Sequence, residues 1–128
     1  MNPYPSYVLL YVADVPRSAA FYARLLALQP VESSPGFALF VLPSGFKLGL
    51  WLRPAVLPPA TAERGGSELC MAVDQAADVD AWVAQGKAQG WPVLQAPTAM
   101  DFGYTAVVAD PDGHRLRVFQ PAARAPAN

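Results

Sequence analysis

The sequence predicts an α+β fold made of two tandem βαβββ modules, residues about 5–53 and 67–121, within a single domain over 1–123 followed by a tail at 124–128. Three observations carry this. The same order of strand, helix and hairpin signals occurs twice, and a Pro-x-Gly turn with the strand after it recurs nearly residue for residue. Between the halves lies a stretch without usable period, residues 53–66 (RPAVLPPATAERGG), which reads as a linker ending in a Gly pair.

Residues 7–12 form an apolar run rich in Val, Leu and Tyr, too short for a helix, and so a strand. A helix follows over about 14–29. Asp14 can cap it, Pro16 fits its first turn, and Ser18, Phe21, Tyr22, Leu25 and Leu28 share one face. After a short strand near 31–33, residues 37–42 and 46–52 flank Pro43-Ser44-Gly45 as an antiparallel hairpin. The second half repeats the order: a strand at 68–73, a helix over about 76–89 with Val79, Trp82, Val83 and Gly86 on one face, and Gly90 as its stop. Strands near 92–95, 104–109 and 115–120 complete it, the last two joined at Pro111-Asp112-Gly113. The segment from Pro43 to Trp51 aligns without gaps on the segment from Pro111 to Phe119, with Pro, Gly and Leu identical and Lys/Arg, Leu/Val and Trp/Phe alike in kind. The first strand and helix superpose as well, pairing Tyr7 with Glu68, Val12 with Val73 and Phe21 with Trp82.

Composition narrows the chemistry. The chain of 128 residues carries 9 Lys plus Arg against 10 Asp plus Glu, a net charge of -1 with no basic run, which excludes nucleic acid as an expected partner. No stretch approaches a transmembrane span and no signal peptide opens the chain, so a cytoplasmic protein with no membrane partner is expected. A single Cys and a single His rule out disulfides within the chain and any metal chemistry that needs several thiolates or imidazoles. Against that scarcity stand 6 Phe, 5 Tyr and 3 Trp.

Two motifs point to a family. Residues 14–22 (DVPRSAAFY) resemble the D-x-x-x-S-x-x-F-Y helix opening, and residues 110–116 (DPDGHRL) the D-P-D-G-x-x-[IL] turn, of the vicinal oxygen chelate superfamily, which holds glyoxalases, extradiol dioxygenases, fosfomycin-resistance transferases and bleomycin-resistance proteins. The resemblance covers about residues 5–121. It implies curved mixed sheets with the helices on their convex faces, paired modules lining a cup, and a homodimer. Enzymes of the family hold a divalent metal at four positions that align here with Tyr7, Gly49, Glu68 and Arg117. Only Glu68 could ligate, and Arg117 would repel a cation, so no metal and no cofactor are expected and the metal-dependent activities should be absent.

Side chains two apart on a strand share a face. With the former ligand positions turned into the cup, Tyr7, Leu9, Tyr11, Lys47, Gly49, Trp51, Glu68, Cys70, Ala72, Arg115, Arg117 and Phe119 line it. The alternate residues, among them Val8, Leu10, Val12, Leu48, Leu50, Leu69, Met71, Leu116 and Val118, are aliphatic and should pack on the helices. The expected ligand-binding set is Tyr7, Tyr11, Phe40, Lys47, Trp51, Glu68, Cys70, Phe102, Tyr104, Arg117 and Phe119, with Phe102 and Tyr104 on a rim loop. Aromatic faces would stack on a flat ligand, while Arg117 and Lys47 would either neutralise an acidic group on it or pair with Glu68. His114 and Cys70 are expected to be a locally hydrogen-bonded turn residue and a small apolar side chain, with no catalytic residue among them.

The resulting expectation is a metal-free binding protein that sequesters a small planar aromatic toxin or antibiotic, resembling the bleomycin-, phenazine- or mitomycin-resistance proteins. Near-neutral charge disfavours a strongly cationic drug such as bleomycin, and cations in the cup favour a planar acid or quinone. Two other readings stand beside it. One is an enzyme, either metal-independent, with a buried Glu68 as acid or base and Arg117 as anion stabiliser, or a glyoxalase-family enzyme with atypical ligands. The other is a domain that only binds protein.

Overall fold

Asp14 opens the first helix as expected: its side chain accepts the backbone N–H of Arg17 at 3.1 Å, and Pro16 sits in the first turn, where its missing N–H costs nothing. In this computed structural model, which describes residues 4–61 and 66–122, strand β1 (Tyr7–Val12) leads into helix α1 (Val15–Leu26). The helix stops three residues before Gln29. Ala27 takes a left-handed conformation (φ 53°) and the N–H of Leu28 returns to the Ala23 carbonyl at 3.2 Å, closing the end before the apolar period runs out. Then come β2 (Glu32–Ser33), β3 (Phe37–Val41), β4 (Lys47–Leu52) and a single 3₁₀ turn (Arg53–Ala55). Residues 62–65, near the end of the expected linker, and the tail at 124–128 lie outside the described residues.

The second half runs β5 (Glu68–Ala72), α2 (Ala76–Ala88), β6 (Val93–Met100), β7 (Gly103–Ala109) and β8 (Arg115–Pro121). Gln75 and Asp78 cap α2 reciprocally, and Gly90 (φ 82°) follows its end while Trp91 N–H reaches back to Gly86 at 2.9 Å. The largest departure from expectation is β6, twice as long as the segment foreseen near 92–95. Pro97 cannot donate to a ladder, but β6 is an edge strand, and its pairing with β7 shifts register between Gln95 and Thr98, where Pro is tolerated.

The chain divides into two compact units, Met1–Ala62 and Glu63–Asn128. Each holds one four-stranded mixed sheet, ordered β1-β4-β3-β2 in the first and β5-β8-β7-β6 in the second, with the module's first and last strands paired in parallel. The register repeats too: Tyr7 lies opposite Lys47 and Leu9 opposite Gly49, as Glu68 lies opposite Arg115 and Cys70 opposite Arg117.

One face of each sheet packs on its helix. In the first unit Leu10, Val12, Ala38, Phe40, Leu48 and Leu50 are buried with Val15, Ala19, Phe21 and Tyr22 of α1. In the second, Ala106, Val108, Leu116 and Val118 are buried with Val79 and Val83 of α2, and Trp82 and Tyr104 close the edge of that cluster. This burial removes each apolar face from water and sets the opposite face of each sheet apart for other chemistry.

Candidate functional site

On the other face of the first sheet, β1, β3 and β4 present Tyr7, Leu9, Tyr11, Phe37 and Trp51. Pairing sets these positions: Trp51 lies between Tyr11 on β1 and Phe37 on β3, and Gly49 lies beside Leu9. Tyr7, Leu9, Phe37 and Trp51 line an open, mainly apolar pocket of about 600 Å³, a volume typical of small-molecule sites. Tyr11 meets Trp51 edge to face, with ring centroids 6.3 Å apart. Large aromatic surface is left to solvent, Tyr7 being 40% and Tyr11 37% exposed. Gly49 makes the floor low. A Cβ there would come within 2.6 Å of the Leu9 side chain and 3.1 Å of the Tyr7 and Phe37 rings, so those side chains lie across the backbone where a larger residue would prop them up. Partial burial, and then the charge of Glu32, raise the Tyr7 phenol above its ordinary pKa, keeping it neutral.

The corresponding face of the second sheet is polar. The Arg117 guanidinium donates through Nε to Glu68 Oε1 at 2.6 Å and through Nη2 to Oε2 at 3.4 Å. Its Nη1 donates to Gln95 Oε1 at 3.1 Å and Thr105 Oγ1 at 3.2 Å. Thr105 is fully buried and in turn donates to the Val118 carbonyl at 2.9 Å, so the acceptor is itself fixed. The guanidinium carbon stands 5.6 Å from the centre of the Phe102 ring, and Phe102 meets Phe119 edge to face at 6.1 Å. Cys70 Sγ lies 3.9 Å from Glu68 Oε1; partial burial and the adjacent carboxylate push its thiol up in pKa, so it is a poor nucleophile at neutral pH.

Of the residues singled out in the sequence, Tyr7, Tyr11 and Trp51 gather on the first face, with Lys47 beside Tyr7 in the register, and Glu68, Cys70, Phe102, Arg117 and Phe119 gather on the second. Two are displaced. Phe40 pairs with Leu48 and is 0% exposed on the helix side, a core residue and not a ligand contact. Tyr104 also faces its helix, packing by α2 and donating from its hydroxyl to Asp80 at 2.7 Å, which leaves Phe102 alone of the rim pair on the polar face. Glu68 is an exposed residue whose carboxylate is paired with Arg117, so the buried acid or base of the enzyme reading is not present in that form. Phe37, Gln95 and Thr105 were missed, because their place depends on the antiparallel register within each hairpin.

The family's metal positions do not fit a divalent cation. Gly49 has no donor atom, Arg117 is itself a cation, both Glu68 oxygens accept from that cation, and Tyr7 keeps its proton. Elsewhere, Asp110, Asp112 and His114 bring ligand-type atoms within 4.8 Å of one another. There Asp110 organises the turn: Oδ1 accepts the N–H of Asp112 at 2.9 Å and of His114 at 2.8 Å, and Oδ2 meets His114 Nδ1 at 2.6 Å. This is the locally bonded turn histidine that the sequence suggested.

Two βαβββ units in one chain, each with a helix behind its sheet, define a class, and the chain matches it directly: over residues 5–118 it belongs to the Glyoxalase/Bleomycin resistance protein/Dioxygenase superfamily. It is 31% identical over 118 residues to the phenazine antibiotic resistance protein EhpR of Enterobacter agglomerans, covering 89% of each chain. The solution structure of protein ATC0852 from Agrobacterium tumefaciens is 50% identical and superposes with a TM-score of 0.88 over 95% of this chain and 100% of that one. A glyoxalase/bleomycin resistance protein/dioxygenase family enzyme from Burkholderia phytofirmans, 24% identical with a TM-score of 0.79 over 91% of this chain and 98% of its own, shares the fold. No helix among the described residues is long and apolar enough to cross a membrane.

Proposed function

We propose that the protein is a metal-free binding protein that sequesters a small planar aromatic toxin or antibiotic of the phenazine type. The observation that carries this reading is the open pocket of about 600 Å³ walled by Tyr7, Leu9, Phe37 and Trp51. A tricyclic ring laid there would bury one face against aromatic and aliphatic surface, and aromatic pairs add about 0.5–1.5 kcal/mol beyond area burial. The misfit of the metal positions to a divalent cation supports a binding role, and the 31% identity to a phenazine antibiotic resistance protein supports this class of ligand.

The test is calorimetric titration of the purified protein with phenazine, followed by recovery of the compound. Binding with recovery of unchanged phenazine is expected, and Trp51→Ala should weaken it about tenfold or more while leaving the unfolding midpoint nearly unchanged. Absence of binding, or equal affinity in Trp51→Ala, overturns the reading.

A further inference from the structure

We infer that Tyr7 selects the ligand of the first unit's pocket: its hydroxyl, carried over the pocket floor, donates a hydrogen bond to a ring nitrogen of a planar heteroaromatic and disfavours a carbocycle of the same shape. The inference rests on the aromatic-ligand reading above and adds what the ring must carry.

Register and close packing put the hydroxyl there. Tyr7 stands opposite Lys47 and Leu9 opposite Gly49, so Tyr7 is a diagonal neighbour of Gly49 on the same face. Its ring leans across that diagonal: Cε1 would be 3.1 Å from a Cβ on Gly49, and Cζ of Phe37, reaching in from β3, would also be 3.1 Å away. The tips of the two rings therefore converge over the glycine, and the phenol oxygen, bonded to the carbon next to Cε1, is carried onto the floor and not to the rim. Trp51 rises two residues further along β4, and strand side chains stand roughly perpendicular to their sheet, so a ring stacked on Trp51 sets its edge down on this floor. A ring nitrogen keeps its lone pair in the ring plane, along that edge, where an O–H donor reaches it.

The hydroxyl is open to a ligand, and it is a donor. Tyr7 is 40% exposed, and among the described residues its hydroxyl has no hydrogen-bond partner, whereas Tyr104, against its helix, donates to Asp80 at 2.7 Å. Glu32 shares the face, since it pairs with Leu39 and Leu39 with Gly49; after partial burial, its charge helps to keep the phenol protonated, acting at a distance and not through a hydrogen bond. A ligand that covers the floor strips the hydroxyl of water. With an acceptor at its edge it replaces the lost bond; without one it leaves a covered donor unsatisfied, and that penalty exceeds the net gain of a bond made. The other lining side chains, Leu9, Phe37 and Trp51, have no acceptor atom to offer instead, and Lys47, the register partner of Tyr7, is a donor only.

Phenazine and anthracene share one tricyclic outline and differ in the ring nitrogens, so together they separate this hydrogen bond from stacking. Phenazine is titrated calorimetrically, and the sparingly soluble anthracene by its own fluorescence with the protein in excess. Tyr7→Phe, which removes only the oxygen, should weaken phenazine about fivefold and tighten anthracene about threefold. The unfolding midpoint should stay nearly unchanged, because no described residue bonds to that hydroxyl. Movement of the two affinities in opposite directions is a result that a distorted pocket cannot produce. Phenazine affinity unaltered in Tyr7→Phe, or weakening of both ligands by the same factor, overturns the inference while the aromatic-ligand reading stands. If wild type binds neither compound, that underlying reading fails and selection by Tyr7 fails with it.

Discussion

The solvent-side faces of the two sheets share strand order and register but not chemistry. At equivalent positions the first carries Tyr7, Leu9, Tyr11, Gly49 and Trp51, and the second carries Glu68, Cys70, Ala72, Arg117 and Phe119. The first is an aromatic surface lowered by a glycine; the second is a hydrogen-bonded network around one arginine. The helix-side faces, by contrast, are mainly apolar in both units, aliphatic but for Phe40 in the first and Tyr104 in the second. The difference shows which half of each strand is answerable to folding. Residues against a helix must be apolar and fit, whereas alternate residues, released from packing, can diverge between two copies of one scaffold without altering it.

The comparison breaks most readily at Phe40. Truncation to Ala removes a completely buried ring and should cost about 3–5 kcal/mol in urea unfolding, with phenazine affinity nearly unchanged wherever the variant remains folded. An affinity loss matching that of Trp51→Ala would return Phe40 to the binding face. Gly49→Ala tests the low floor: the three atoms nearest its Cβ would belong to the Leu9, Phe37 and Tyr7 side chains, so those side chains must shift, at about 1–3 kcal/mol of stability, with a larger fractional loss in phenazine binding. Unaltered binding would show that the pocket does not depend on that glycine.

The smallest expected effect concerns Cys70 on the polar face. Its thiol is raised above the usual 9.0, first by partial burial and then by Glu68. The folded protein therefore holds this proton more firmly than the unfolded chain. The stabilisation is fully present below the ordinary thiol pKa and is lost as pH rises through the folded value. Iodoacetamide alkylation of the folded protein should accordingly have its pH profile displaced to the alkaline side of a free thiol's. Glu68→Gln should move it back, because the raising charge of the carboxylate is removed while Arg117, which lowers the thiol, remains. An unmoved profile in that variant would separate Cys70 from the Glu68–Arg117 network.

Much of the scaffold was legible because its signals are local. Asp14 and Pro16 mark a helix start wherever they occur, and the Pro-x-Gly turns at 43–45 and 111–113 mark hairpins. The aromatic face of β1 and β4 followed from alternation once the family resemblance supplied Tyr7 and Gly49 as anchors, since Tyr11 and Trp51 are an even number of residues from them on the same strands. Phe40 and Tyr104 went astray because their faces depend on how each hairpin closes. The bond from Leu42 N–H to the Phe46 carbonyl at 2.8 Å, and the Asp110 side chain holding the turn before β8, set those registers. A shift of one residue would have exchanged the faces.

By itself the sequence determined the repeated βαβββ order, the aliphatic helix-side faces of β1, β4, β5 and β8 and the unsuitability of the four positions that align with the family's metal ligands, because periodicity, capping and donor type belong to single residues or short segments. Only the tertiary structure decided that Arg117 is engaged by Glu68, Gln95 and Thr105, that Phe37 joins Trp51 while Phe40 turns inward, and that Gly49 lies beneath three side chains. Those contacts join strands distant in the chain, and hydrogen bonds and close packing depend on fractions of an ångström that register and twist supply.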